Sequence, residues 1–212
     1  MPFQNRVDPF GAIHAVAARG LFTGNRGVIH DPGTRTLLKR RWTTRAWLIC
    51  ECAFQGRRRD VMGRNGRTGG AGWTELFFLD EVTALAAGHR PCFYCRRERA
   101  QAFARSFAAG QGRHRMSAPD LDVILHRERR ASGGPLVRLP PSEAASLPDG
   151  AMVERDGRPF AVRAGKLLPW DFGGYGEAEL TAASEFKLIT PPSTVAALKE
   201  GYRPVWHPSA TP

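Results

Sequence analysis

Residues Gly88 to Arg97 read GHRPCFYCRR, in which Cys92 and Cys95 are separated by two residues. The other cysteines of the chain, Cys50 and Cys52, form a second close pair. Four thiols in two close pairs are typical of a tetrahedral structural zinc site. Two disulfides would use the same residues, but paired thiols in a chain with so few cysteines more often bind a metal. The sequence therefore predicts a zinc ion held by Cys50, Cys52, Cys92 and Cys95.

The segments around the two pairs predict a strand and a helix that meet at the metal. Residues 45–54 are rich in apolar, branched and aromatic side chains, which favours a strand. On a strand, cysteines two positions apart leave from the same face, and a small bulge would bring both sulfurs to one ion. After Pro91, residues 96–109 have apolar side chains at helical spacing. The second pair then lies at a helix N-terminus, where the peptide dipoles stabilise thiolate charge.

The rest of the chain predicts an α+β fold, with a small zinc-centred strand and helix domain followed by a strand-rich C-terminal segment with helices. Asp80 is a good N-cap for a helix that Gly88 ends. Asp156-Gly157 between apolar runs predicts a hairpin. We divide the chain into an irregular N-terminal segment (1–34), a zinc-binding domain (35–110), a helical linker region (111–149) and a small β-rich domain with a C-terminal helix (150–212).

Neither a leading apolar run nor a stretch long enough for a membrane span is present in the sequence. We therefore expect a cytoplasmic protein with no membrane partner.

The formal net charge of +11 favours a polyanionic partner, most often nucleic acid. Between residues 35 and 67, ten Lys and Arg residues stand against two acids. Nearly all are Arg, whose planar fork matches phosphate oxygens and guanine edges. A solvated basic face is the alternative interpretation. We expect a nucleic-acid partner, DNA above all, contacted by Arg57, Arg58, Arg59, Arg90, Arg96 and Arg97.

Residues 55–72 contain an Arg run and six glycines and predict a loop. Such a loop either orders on a phosphate backbone or is the disordered tip of a hairpin.

A helix predicted over residues 119–130 carries a candidate catalytic pair, Asp122 and His126. The two are four positions apart and therefore share one face of the helix. A carboxylate that orients an imidazole is the core of a general base, and Glu128 would add a metal ligand. This group is the candidate for a nuclease, although such pairs also occur by chance on many helices.

One part of the chain resembles the zinc-binding domain of the Ada DNA-repair protein. The likeness rests on Trp42 to Arg45, the Cys50 and Cys52 pair, the basic loop, Glu75 to Phe78, and Ala86 to Arg96 with its Arg-Pro-Cys-x-x-Cys run. It covers about residues 42–107. The first pair of that family is separated by three residues, whereas here one residue lies between. The resemblance implies a methylphosphotriester-repair activity, in which Cys50 as a zinc thiolate accepts a methyl group from DNA.

Three functional hypotheses follow from these features. The first is a zinc-stabilised DNA-binding protein of bacterial type, in DNA repair or recognition of modified DNA. The second is an enzyme acting on DNA, either by methyl transfer to zinc-bound Cys50 or as a nuclease. The third is a zinc-containing interaction module for RNA or for a protein.

Overall fold

The computed structural model describes residues 1–56, 58–179 and 185–211 of the chain. Within these ranges the chain forms two six-stranded sheets, a two-stranded ribbon and five α-helices, which confirms the predicted α+β class. The strands are β1 (Arg6–Val7), β2 (Ile13–His14), β3 (Phe22–Asn25), β4 (His30–Asp31), β5 (Thr36–Leu37), β6 (Leu48–Glu51), β7 (Leu76–Phe78), β8 (Arg90–Pro91), β9 (Val137–Leu139), β10 (Met152–Arg155), β11 (Arg158–Arg163), β12 (Lys166–Asp171), β13 (Gly174–Tyr175) and β14 (Phe186–Leu188). The helices are α1 (Glu81–Ala86), α2 (Arg97–Gly110), α3 (Ala118–Glu128), α4 (Pro141–Ala145) and α5 (Pro192–Lys199), and one 3₁₀ turn covers Arg130–Ser132.

The first sheet has the strand order β2-β1-β7-β3-β6-β8 and carries the cysteines. Its strands β1, β2 and β3 come from the segment 1–34 that we expected to be irregular. Gly24 on β3 lies against β6 so closely that a Cβ there would be 2.0 Å from the carbonyl oxygen of Leu48. This segment therefore contributes short strands to the sheet, and two of them, β1 and β3, flank β7.

The second sheet has the order β13-β12-β11-β10-β14-β9. Strands β10 and β11 are joined by Asp156 and Gly157, whose φ angles are 51° and 77°. Positive φ at both central residues is what a type I′ turn requires, and the predicted hairpin is confirmed. Strand β9, at the edge of this sheet, comes from the predicted helical linker region (111–149).

The two sheets share one core. Buried apolar side chains form a contiguous group that includes Phe78 of the first sheet, Phe103 of α2, Leu121 of α3 and Phe160 of the second sheet. All four have at most 1% of their surface exposed. The described residues therefore pack around a common interior. Helices α2 and α3, which lie between β8 and β9 in the chain, contribute side chains to it.

Two carboxylates at the start of α1 fasten the first half of the chain to the second. Asp80 caps the helix by accepting from the Thr83 amide at 2.8 Å, and it also accepts from the Tyr175 hydroxyl at 2.9 Å. Burial, and then the charge of Asp80, raise the pKa of Tyr175 well above its ordinary value, so the phenol remains a donor. Glu81 accepts from the Tyr202 hydroxyl at 2.5 Å. Buried polar groups need such partners, and these ones connect α1 to the C-terminal residues.

Candidate metal centre

Cys50, Cys92 and Cys95 bring their sulfur atoms within 4.8 Å of one another. Cys50 lies on β6, Cys92 follows β8 directly, and Cys95 lies in the turn before α2. Strands β6 and β8 are parallel, with Ile49 opposite Pro91, and the Cys92 amide donates to the Ile49 carbonyl oxygen at 2.9 Å. This strand pairing, which joins distant parts of the chain, places Cys50 beside the later pair.

The three thiols fit a metal ion. In a tetrahedral zinc site with Zn–S bonds of about 2.3 Å, the sulfur atoms lie roughly 3.8 Å apart. Sulfur atoms already within 4.8 Å of one another reach that spacing through small side-chain adjustments. Across the part of the chain that the structure describes, no further His, Cys, Asp or Glu belongs to this group.

Cys52 lies outside the group, which corrects the predicted set of four ligands. Its thiol is exposed and donates to the carbonyl oxygen of Leu21 at 3.5 Å. The reason is the end of strand β6 at Glu51, after which the chain bends. The rule that alternate residues share a face holds only while the strand continues, and Cys52 is one residue beyond it.

The close approach of the sulfurs separates their pKa values. Hydrogen bonds from Cys50 and then Cys95 lower the pKa of Cys92 to about 2. Donating to Cys92 and then to Cys95, together with burial, raises the pKa of Cys50 far above its ordinary value. Without a metal, one sulfur therefore holds the negative charge and its neighbour keeps its proton. A bound cation reverses this, because a coordinating thiol is deprotonated outright.

A cavity of about 360 Å³ adjoins the three thiols. Its walls include four aromatic side chains, with the rings of Phe54 and Tyr94 in an edge-to-face contact at 5.3 Å. Three protein ligands beside an open space are the arrangement of metal sites that keep one exchangeable position. The aromatic lining of this cavity is made by Phe54, Trp73, Phe77 and Tyr94.

The loop that precedes β7 folds around the carboxylate of Glu75, which is almost fully buried. Glu75 accepts from Arg59 Nε at 2.6 Å and from the Met62 amide at 2.8 Å. The Asn65 side chain donates to it at 3.3 Å, and the Arg59 guanidinium lies 4.0 Å from the Trp73 ring centroid. A buried carboxylate thus organises the described residues of this loop, and they form one wall of the cavity. Contact of the loop with a phosphate backbone stays a prediction.

The arginines predicted to contact nucleic acid divide into two groups. Arg90 and Arg96 are buried and paired, with Asp122 at 2.8 Å and with Glu81 at 2.9 Å respectively. They are corrected to structural residues, because neither guanidinium is available to a phosphate. Arg59 is paired with Glu75, whereas Arg58 and Arg97 are exposed. Arg57 lies outside the described residues.

The candidate catalytic group of α3 is not assembled. Asp122 accepts from Arg90 through both of its oxygens, and among the described residues His126 Nδ1 accepts no bond from it and donates none to it. The His126 ring instead packs edge-on against Trp42 at 5.9 Å, and within the described ranges its Nδ1 has no hydrogen-bond partner. Glu128 accepts from the Ser193 amide at 2.9 Å and so satisfies the first turn of α5. Each carboxylate is thus occupied by a structural contact, and the predicted nuclease site is corrected.

The cavity and its walls were not apparent from the sequence. Trp73 and Phe77 stand in a predicted strand, where aromatic side chains are ordinary. Glu75 carries no motif, and its role depends on a loop that returns to it from ten or more residues away. A single acid between two aromatic residues, Trp73 and Phe77, is the one local sequence signal near this position.

No family model, no curated protein and no solved structure matches this chain. Among the helices in the described ranges, none has the length and apolar character that crossing a membrane demands.

Proposed function

We propose that this chain binds one zinc ion through Cys50, Cys92 and Cys95 and that the metal-braced fold binds DNA. The observation that carries the proposal is the convergence of three thiols from β6 and from the turn before α2. Three thiolates are a soft donor set, which favours zinc over magnesium or calcium. Zinc at this position would tie the end of β6 to the start of α2.

The DNA-binding part of the proposal is supported by the charge of the chain. The formal net charge is +11, and several basic side chains, among them Arg58 and Arg97, are exposed. Cations that neutralise phosphates release bound counterions, so affinity falls steeply as salt is raised. A basic surface on a fold braced by a metal is a common means of presenting such contacts. We place the chain in the cytoplasm, where free thiols stay reduced.

The experiment combines metal analysis with a binding titration on the same preparation. We expect one zinc per chain, retained in Cys52→Ser and lost in Cys50→Ser. The reason is that Cys50 is one of the three clustered thiols, whereas Cys52 lies outside them. Binding of fluorescent DNA is then measured by anisotropy from low to moderate salt. Absence of zinc contradicts the metal centre, and absence of DNA binding by the zinc-loaded protein contradicts the DNA-binding part.

The cavity beside the thiols favours a second candidate, transfer of a methyl group from DNA to Cys50. In this reaction the sulfur forms a bond to the methyl carbon, and the phosphate oxygen keeps the electron pair of the broken C–O bond. The support is the position of Cys50 on the wall of a cavity about 360 Å³ in volume and the resemblance to the Ada zinc-binding domain.

Mass spectrometry after incubation with methylphosphotriester DNA tests this second candidate. One added methyl group located on Cys50, present in Cys52→Ser and absent in Cys50→Ser, is the expected result. An unmodified protein, or a methyl group on Cys52 alone, contradicts it.

A further inference from the structure

The segment 39–45, which precedes strand β6 and Cys50, forms an exposed basic surface. Lys39, Arg40, Arg41 and Arg45 are exposed, and none of them forms an ion pair with the residues that the structure describes. Trp42 stands in the middle of this run with 37% of its surface exposed. The indole therefore lies among cations that form no ion pair in the described ranges. Of these, Arg41 donates only to backbone carbonyl oxygens, those of Leu38, Lys39 and Arg40.

The Trp42 side chain packs against two other rings. Its ring lies 6.2 Å from the ring of Trp47 and 5.9 Å from that of His126. Trp47 is fully buried, and the guanidinium groups of Arg26 and Arg129 lie 3.9 Å and 4.2 Å from its ring centroid. The indole of Trp42 is thus packed against two rings and keeps part of its surface exposed.

The two buried arginines add positive charge beneath the segment. Neither forms an ion pair within the described ranges, and Arg26 Nη2 and Arg129 Nη1 lack hydrogen-bond partners there. Burial is the largest cause that lowers the pKa of each guanidinium, in both cases to about 9. At neutral pH both therefore remain largely protonated. An anion close to this surface would be attracted by buried charges as well as by exposed ones.

We propose that the segment 39–45 binds single-stranded DNA, with Lys39, Arg40, Arg41 and Arg45 on phosphates and one base stacked on Trp42. This proposal rests on the proposed function and gives it a surface and a strand type. The surface differs from the one that the sequence indicated, since Arg90 and Arg96 are buried in ion pairs.

The exposed indole favours a single strand over a duplex. Stacking on an aromatic side chain requires a free base face, which an unpaired base offers and a base inside a duplex does not. Phosphate contacts alone would serve either form, so Trp42 is the residue that distinguishes them.

The test compares charge-matched variants of the zinc-loaded protein. The probe is a fluorescein-labelled oligothymidylate of about 16 nucleotides, the upper end of the site size of one single-strand-binding fold. Arg40→Ala/Arg41→Ala removes two cations from the segment. Arg113→Ala/Arg115→Ala is the control, since it removes two exposed arginines of the same type from the α2–α3 connection.

The expected loss follows from counterion release. Each phosphate contact on a single strand contributes about 0.7 to the salt slope, so removing two lowers the slope by about 1.4 and weakens binding roughly 25-fold at about 0.1 M salt. We expect the control variant to bind within about 2-fold of wild type. Trp42→Leu keeps apolar bulk over Trp47 but loses stacking, which predicts a loss of roughly 5- to 160-fold with an unchanged salt slope. Trp42→Phe restores most of the affinity.

Three outcomes would overturn the inference while leaving the proposed function intact. The first is an equal loss of affinity in the two double-arginine variants. The second is an affinity of Trp42→Leu equal to that of wild type. The third is tighter binding of the annealed duplex than of the single strand, with a duplex affinity that Trp42→Leu leaves unchanged. Failure of the wild-type protein to bind any DNA would instead remove the proposed function itself. Circular dichroism of each variant confirms that the fold is kept.

Discussion

Replacement of Asp122 by Ala tests whether this residue is structural, as its contacts indicate. Its two carboxylate oxygens accept from Arg90 Nε and Nη2, each at 2.8 Å. The side chains of Arg90 and Asp122 are only 6% and 9% exposed. Because Arg90 lies on β8 and precedes Cys92 by two residues, this pair connects α3 to the strand that positions the thiols.

The expected cost is large because the variant leaves a buried guanidinium without its counter-charge. Breaking a buried ion pair from one side typically costs about 3–5 kcal/mol. For 212 residues and an unfolding entropy of about 2.1 cal/mol/K per residue, this corresponds to a fall in Tm of about 7–11 °C. Calorimetry and urea unfolding of the zinc-loaded protein measure it.

The matched control is Asp120→Ala on the same helix. Asp120 is exposed and accepts from the Ser117 hydroxyl at 2.6 Å, so its loss should cost under about 1 kcal/mol. Arg90→Met/Asp122→Leu removes both charges and should recover most of the stability, since apolar pairs often replace buried ion pairs without loss. A stability of Asp122→Ala within about 1 kcal/mol of wild type would refute this reasoning.

Three further predictions concern the loop, the first sheet and the thiols. Glu75→Gln leaves Arg59 unpaired and should cost about 1.5–3 kcal/mol, with faster tryptic cleavage within residues 58–72. Gly24→Ala should cost about 3 kcal/mol in urea unfolding, because its Cβ would meet the Leu48 carbonyl oxygen at 2.0 Å and a backbone atom cannot turn aside. The raised pKa of Cys50 means that zinc must displace its proton at pH 7, so zinc affinity should fall as pH falls; titration calorimetry in buffers of different ionisation enthalpy measures the proton released.

Each of these predictions has a control or a contrary result. Glu185→Gln breaks an exposed pair with Arg138 and should leave both stability and cleavage unchanged. Gly70→Ala introduces a methyl group with no atom within 4 Å and should be nearly neutral. Zinc binding without proton release at pH 7 would contradict the assignment of the proton to Cys50.

Local patterns predicted the elements whose signals lie within a few residues. The Asp80 cap fixed the start of α1, and the Asp156-Gly157 turn fixed the β10–β11 hairpin, because capping and type I′ geometry are set by neighbouring atoms. The place of β1 and β3 in the first sheet was not predicted, since both pair with β7, which comes much later in the chain.

The parts of the candidate site that depend only on residue spacing could be predicted from the sequence. The parts that depend on how strands and helices pack could not. Cys92 and Cys95 share one turn, and their proximity follows from two intervening residues. Cys52 was wrongly included because its position depends on where β6 ends. Helical spacing alone favours His126 as the partner of Asp122. In the fold, β8 places Arg90 beside Asp122, and a guanidinium forms the stronger hydrogen bonds to a carboxylate. Contacts of this kind come from strand and helix packing.

The central claim is a metal held by three protein sulfurs, and X-ray absorption at the zinc edge of the purified protein measures the ligands directly. The account predicts three sulfur neighbours at about 2.3 Å and one lighter donor, with the same spectrum for Cys52→Ser. Four sulfur neighbours in wild type that fall to three in Cys52→Ser, or a protein that holds no metal at all, would contradict it.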